Sequence, residues 1–283
     1  PRLSLRKPDA DALPPPHHYR FLQGLWKSRH AYRILLPHVS SDEYSSAYRF
    51  SATLNKYVTG NSIGIFLLSN GDIVLSKNSM IKLVKRNLKW LNFSYEAFKN
   101  SFGDYLIKNQ IDETLLQNVF ASMLDVSFSH GGGIIAVINK LEPLLSKSKN
   151  EQPILNSSDY LLEKSNDEIE CDLKSMSKQL GEQEIKKRLL KRNVLITLVD
   201  KKSFMELDRK LRCELVSLDG ALILDKNGRV CACGAIIKND SGSTGGARGA
   251  ASKKLSRYGF AVKISTDGYI ELYIDDKKVY SIK

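Results

Sequence analysis

Two stretches far apart in the chain carry residue types suited to holding a nucleotide. The first, Leu218-Asp219-Gly220-Ala221, lies at the mouth of an expected strand. The second, Gly242-Ser243-Thr244-Gly245-Gly246-Ala247-Arg248-Gly249-Ala250-Ala251, leads into an expected helix. Small residues let backbone N–H groups approach an anion closely, and a helix start adds the positive end of its dipole, so a phosphate fits there. Arg248 presents a fork of donors to that phosphate. Asp219 presents a carboxylate for a divalent metal or a ribose hydroxyl, provided the fold brings it alongside. The loop is not a Walker motif, since no Gly-Lys-Ser/Thr follows, and it lacks the preceding strand and downstream acid of a dinucleotide fingerprint. On residue types alone, a plain glycine loop explains it equally well.

The elements that must position these stretches are legible around them. Ala221–Leu224 and Arg229–Ile237 read as a hairpin across Asp225-Lys226-Asn227-Gly228. The glycine-rich loop Ser241–Gly249 leads into a helix over Ala250–Arg257, and Ala261–Ile264 pairs with Tyr269–Ile274 across Asp267-Gly268. Upstream, Leu115, Val119, Met123 and Val126 share one face of a helix beginning near Ile111, followed by a glycine turn at Ser129–Gly133 and a buried strand over Ile134–Ile138. Residues 140–184 turn polar and read as a partly ordered insertion. A helix over Gln183–Arg192 is expected to stop at Asn193, with a β-branched strand over Val194–Val199 and a second helix over Ser203–Leu215.

Nearer the N-terminus, residues 1–18 read as a flexible arm, because Pro14–Pro16 forbid helix. Residues 19–110 read as a small α/β region with a helix over Ser45–Tyr57. In it, Ile63–Leu68 and Asp72–Ser76 are joined by the hairpin signal Ser69-Asn70-Gly71. Lys82–Lys89 and Lys186–Arg192 fit solvated helix faces, and Trp90, Phe93, Tyr95, Phe98 and Phe102 fit a core stripe at helical spacing. His130, beside the glycines, reads as a solvated turn residue.

Composition narrows the function classes. The 283 residues, 42% hydrophobic and 26% charged, are enough for two globular domains. No apolar stretch approaches the ~20 residues that cross a bilayer, so no transmembrane segment is expected. Four cysteines suit reduced thiols in a cytoplasmic protein better than a disulfide framework. Cys231 and Cys233 are expected on the same side of one strand as small buried hydrophobes. The five histidines show no zinc-hydrolase spacing. The excess of 43 basic over 31 acidic residues, a net charge of +12, points to a polyanionic partner: a nucleotide, a nucleic acid or anionic lipid.

Taken together, the two stretches resemble the diadenylate cyclase domain found in the DNA-integrity scanning protein and in membrane-linked cyclic di-AMP synthases. Gly132-Gly133-Ile134-Ile135-Ala136-Val137 matches a strand of that family, Asp219-Gly220-Ala221 its D-G-A signature, and Ser265-Thr266-Asp267-Gly268 echoes its closing strand. The likeness covers about residues 111–283. It implies an α+β fold, a mixed twisted sheet flanked by helices, preceded by the N-terminal α/β region. In that family a metal held at the D-G-A aspartate activates a 3′-hydroxyl for attack across a face-to-face dimer.

Departures from the family pattern bear on activity. Where the family loop reads G-T-R-H-R-A-A, this chain has Gly245-Gly246-Ala247-Arg248-Gly249-Ala250-Ala251, so two arginines become Ala247 and Gly249, and Arg248 replaces the histidine. Thr266 stands where an acidic metal ligand is expected. The resemblance with these losses implies a nucleotide or cyclic-dinucleotide sensor. Leu218 and Ala221 would line the base, Asp219 and Gly220 would flank it, and Gly245, Gly246, Arg248 and Gly249 would hold phosphate, with Ser265 on ribose or base. An active cyclase using Asp219 with Mg²⁺ or Mn²⁺, a homo-oligomer in that case, remains the second reading, with the basic insertion, Lys253 or Lys254 replacing the lost arginines. A basic nucleic-acid-binding protein is the third, and an inert scaffold the last.

Overall fold

The structure, a computed structural model, describes residues 58, 62–67, 72–78, 80–129, 131–139, 141–145, 154–161, 168–171, 173, 181–238 and 246–282. The N-terminal arm, the helix expected over Ser45–Tyr57, His130 and Gly245 lie outside these residues. The chain divides into two compact units, Pro1–Ser94 and Tyr95–Lys283.

The described part of the first unit is an antiparallel meander of β1 (Ile63–Leu67), β2 (Ile73–Lys77), β3 (Met80–Arg86) and β4 (Lys89–Asn92), paired in that order. Phe66, Val74, Val84 and Leu91 are buried, as a sheet with one covered face requires. The solvated helix expected over Lys82–Lys89 is therefore a hairpin. Asn87 and Leu88 both take left-handed φ, 48° and 66°, the turn geometry whose twist matches its strands. Arg86 points inward, where its Nε donates to Asp72 Oδ2 at 2.8 Å. Trp90 lies on β4, 50% exposed, rather than in a helical core stripe.

The second unit begins with α1 (Tyr95–Asn100), α2 (Tyr105–Asn109) and α3 (Glu113–Phe128). Asp112 caps α3 by accepting the Thr114 and Leu115 N–H groups. Leu115, Val119, Met123 and Val126 are each fully buried along its inner face. Phe98 packs on Phe120 and Phe102 on Phe260, which ties the aromatic stretch to this unit and sets the boundary at Ser94 rather than near residue 110.

Its core is a six-stranded sheet of β5 (Gly133–Ile138), β6 (Ala221–Asp225), β7 (Val230–Ala235), β8 (Gly259–Ile264), β9 (Ile270–Ile274) and β10 (Lys277–Ile282), in the order β10-β9-β8-β5-β6-β7. The β5–β6 pair is parallel and the other pairs are antiparallel. Between β5 and β6 come α4 (Glu142–Leu145), α5 (Glu182–Val199) and α6 (Arg209–Ser217), and α7 (Gly246–Ser256) joins β7 to β8. Ala251 and Leu255 of α7 pack on Ile134, Ala136, Ile138 and Ala261, while α3 and α6 pack together and against β5. This is the expected mixed sheet flanked by helices.

Three local expectations change. Val194–Val199 is not a strand: α5 runs through Asn193 to Asp200, whose φ of 48° ends it. Ile185, Arg192, Leu195 and Val199 are buried along α5, a helical period that outweighs the β preference of its branched residues. The next helix starts later than Ser203, because Asp208 caps it by accepting the Lys210 and Leu211 N–H groups. Cys231 and Cys233 are both buried but do not share a side. Cys231 joins the cluster beneath α7, whereas the Cys233 thiol reaches the Leu215 carbonyl of α6 at 3.5 Å, and register shifts between β6 and β7 break the alternation. Burial pushes the Cys233 thiol up to about 12.

Candidate functional site

Strand direction gathers the sequence-distant stretches at one end of the sheet. Because β5 and β6 run parallel, with Ile134 opposite Ala221, the residues leading into both strands open at the same end. The antiparallel neighbours bring their exits to it: Ile264 of β8 lies opposite Gly133, and Ala235 of β7 opposite Ala221. Gly132, Leu218–Ala221, Gly234–Ile236 and Ser265–Thr266 therefore share this end.

Arg248 lies over it. Its Cζ is 2.9 Å from the point that a Cβ on Gly132 would occupy, and Thr266 Cγ2 is 3.1 Å from the same point. A side chain at Gly132 would displace the guanidinium. Arg248 is partly buried, on the first turn of α7 rather than in a loop, and among the described residues it has no hydrogen-bond or ion-pair partner. Gly249 is buried in the same turn, and a Cβ there would lie 3.9 Å from Lys263 Nζ. Lys263 is already held by Glu271 at 3.0 Å, which also takes Lys278 at 3.2 Å and the Tyr273 hydroxyl at 2.9 Å. Burial, and then this carboxylate, push the Tyr273 phenol up.

The D-G-A stretch divides its work. Gly220 has φ of +111°, and a Cβ on it would come within 2.5 Å of the Gly234 carbonyl carbon and 2.7 Å of the Ala235 nitrogen, so glycine is required for the chain to enter β6. Ala221 is fully buried in the sheet core and has no open face for a base. Asp219 is exposed, and its carboxylate has no partner among the described residues. Leu218 is 38% exposed beside it.

Of the remaining expected residues, Gly246 is exposed with φ of +70°, at the start of α7. The Ser265 hydroxyl donates to the Tyr269 carbonyl at 3.1 Å, closing the β8–β9 turn. Lys254 donates to the Lys238 carbonyl at 2.7 Å, and Lys253 is exposed in the last turn of α7, away from its first turn. No three His, Cys, Asp or Glu side chains among the described residues stand together as a metal-holding group.

Two residues at this end escape sequence reading. Ile236, 53% exposed, follows β7. Lys191 of α5, which reads as part of a solvated face, donates from Nζ to the Gly234 carbonyl at 3.0 Å and lies 4.0 Å from Asp159 Oδ1. Burial raises the Asp159 pKa, against the pull of Lys191, and the Asp159 carboxylate also accepts the Ile236 N–H. No spacing in the sequence links Lys191 to Gly234. Elsewhere in this unit a cleft of about 470 Å³ is lined by residues of α1, α2 and the start of α3, including the Lys99–Glu113 ion pair. None of the expected site residues lines it.

No family model matches the sequence, and no curated protein matches it. Among solved structures, the chain is similar to a hypothetical membrane spanning protein from Bacillus cereus, at 14% identity and a TM-score of 0.36, over 63% of this chain and 69% of that one. It is also similar to a double cysteine mutant of DacA from Staphylococcus aureus, at 16% identity and a TM-score of 0.30, over 59% of this chain and 85% of that one. No helix among the described residues is long and apolar enough to cross a membrane.

Proposed function

We propose that this end of the sheet binds a nucleotide or cyclic dinucleotide, and that the second unit is a sensor of diadenylate-cyclase-like fold with weakened catalytic machinery. The observation that carries the reading is Arg248, a partly buried guanidinium without a partner among the described residues, seated over a glycine. Removing a charge from water is unfavourable unless a counter-charge meets it, and a guanidinium suits phosphate through paired N–H donors. Asp219 would take ribose hydroxyls, and the exposed apolar pair Leu218 and Ile236 would take the base.

The chemistry favours binding over turnover. Nucleotidyl transfer needs several positive groups on the reacting phosphate and its leaving group, and loss of one good donor costs ~10²-fold or more in rate. Here Arg248 is the one arginine in the loop pattern, and among the described residues no three His, Cys, Asp or Glu side chains gather with Asp219 to hold a metal.

Calorimetry of the full chain with ATP, GTP, cyclic di-AMP and related dinucleotides tests the reading. At least one should bind without pyrophosphate release, and Arg248→Ala should weaken it by ~1.5–3 kcal/mol, the range for a hydrogen bond to a charged group. Pyrophosphate release that disappears in Asp219→Asn would instead establish a cyclase. Binding to DNA that falls steeply with salt and ignores both substitutions would establish the polyanion alternative. No binding by any nucleotide would end the proposal.

A further inference from the structure

We infer that Lys191 of α5 is a second anion-binding group of this site, so that the ligand carries two phosphoryl groups, one toward Arg248 and one toward Lys191. This rests on the reading of the sheet end as a nucleotide site and adds to it a residue and a phosphate count.

Gly132 precedes β5, Asp219 precedes β6 and Gly234 lies near the exit of β7, on three adjacent strands of the sheet. The two flanking glycines each have a cation against them. Arg248 lies over Gly132, and Lys191 Nζ is 2.9 Å from the point that a Cβ on Gly234 would occupy. The Asp219 carbonyl oxygen is 3.2 Å from that same point, which brings the ammonium close to the Asp219 backbone. Neighbouring strands are ~4.8 Å apart, so the two glycines stand roughly 10 Å apart with Asp219 on the strand between them. Two long basic side chains, rooted on different helices, thus flank the strand that Asp219 leads into.

Lys191 has donors left for a ligand. An ammonium carries three N–H groups. One goes to the Gly234 carbonyl at 3.0 Å, and Asp159 Oδ1, at 4.0 Å, is beyond hydrogen-bonding distance. The Lys191 side chain is 46% exposed, so its remaining donors face solvent at the site's end of the sheet. Asp159 acts as a positioning residue: its carboxylate is 12% exposed, takes the Ile236 N–H, and draws Lys191 toward the β7 exit. Arg248 reaches this end from α7, and α5 supplies a second cation to it.

The test is calorimetry of the full chain with AMP, ADP and cyclic di-AMP, in the native protein and in Lys191→Gln, Lys191→Arg and Arg248→Ala. Gln keeps an N–H donor for the Gly234 carbonyl while removing the charge, and the ligand-free melting midpoint reports whether the fold is intact. The expected result is about a tenfold loss of affinity for the two-phosphoryl ligands in Lys191→Gln, little change for AMP, and retention in Lys191→Arg. Equal affinity of Lys191→Gln and the native protein for ADP and cyclic di-AMP, with Arg248→Ala still weakened, would overturn the role of Lys191 and leave the nucleotide site standing. Failure of the native protein to bind any of the three would overturn both.

Discussion

Two arginines in the second unit differ in what surrounds them. Arg209, at the start of α6, grips Asp125 of α3 through two hydrogen bonds, Nε to Oδ2 at 2.6 Å and Nη2 to Oδ1 at 2.7 Å. The Asp125 side chain is 3% exposed, and the pair joins two helices on one side of the sheet. Arg248, at the start of α7, lies over a glycine with no such carboxylate among the described residues. Both are basic residues near a helix N-terminus, where a cation gains nothing from the dipole. The first has an acid placed to satisfy it, and so belongs to the scaffold. The second has no partner among the described residues, and under the proposed function its donors serve a ligand. Substitutions at the two positions should therefore separate stability from binding.

The largest effect belongs to the scaffold. Arg209→Ala leaves Asp125 buried and unpaired, and should cost ~3–5 kcal/mol, read as a drop in melting temperature with ligand affinity per folded molecule unchanged. Its pH dependence is a sharper check. Burial already raises the Asp125 pKa, with Arg209 opposing the rise, so removing Arg209 lifts it further. A carboxylate whose folded pKa lies above its unfolded value favours the folded state below the unfolded value, and that contribution is lost as pH rises through the folded pKa. The deficit of Arg209→Ala should thus be greatest at neutral pH and shrink as the pH falls through the raised pKa. A deficit constant with pH would mean that the arginine acts by packing alone.

Gly220→Ala comes next, and tests whether the D-G-A glycine serves the backbone or the ligand. At φ of +111°, with the Gly234 carbonyl carbon 2.5 Å from any added Cβ, alanine meets both a strained dihedral and backbone that cannot move aside. Together these should cost roughly 2–4 kcal/mol of stability. A variant with native melting and lost binding would instead assign Gly220 to the ligand.

These contrasts also mark what sequence could and could not convey. Hairpins such as β6–β7 were legible because Asp225-Lys226-Asn227-Gly228 names its own turn; Gly228 has φ of +80° and its N–H meets the Asp225 carbonyl at 3.0 Å. The α3 face was legible because four apolar residues repeat at helical spacing. The end of α5 was misread for the opposite reason: Asn193 and branched residues suggest a stop and a strand, while the burial of Leu195 and Val199 on the continuing helix decides otherwise. The β3–β4 hairpin hid because Leu88, a residue poorly suited to positive φ, occupies its turn. At the site, Asp219 and Arg248 stood out by motif. Lys191 did not, since its nearness to Gly234 arises from a helix 43 residues away in sequence packing at the sheet edge.

Gly132→Ala probes Arg248 without touching its charge. Gly132 lacks the positive φ that would exclude alanine, and an added Cβ meets the end of the Arg248 side chain and, at 3.1 Å, the Thr266 methyl rather than backbone, so the stability cost should be only about 1 kcal/mol. The guanidinium must swing off the sheet end, however. Affinity for the nucleotide that binds the native chain should fall about tenfold, up to the loss in Arg248→Ala, as measured by calorimetry. Unchanged affinity would show that Arg248 binds from another position, or not at all.

Ser265→Ala should have the smallest effect, and it divides family expectation from local geometry. Resemblance assigns this hydroxyl to ribose or base, yet here it donates to the Tyr269 carbonyl at 3.1 Å, while the Gly268 N–H donates to the Ser265 carbonyl at 2.8 Å and the Ser127 hydroxyl holds the Gly268 carbonyl at 2.6 Å. A hydroxyl with one proton, already given to a carbonyl that the Ser265 N–H also meets at 2.9 Å, keeps only lone pairs for a ligand. Its loss should therefore cost ~0.5–1.5 kcal/mol of stability and leave nucleotide affinity within twofold. If affinity fell while melting held, the hydroxyl would have to rotate away from Tyr269 on binding, and Ser265 would join Arg248 among the residues that act outward rather than within the fold.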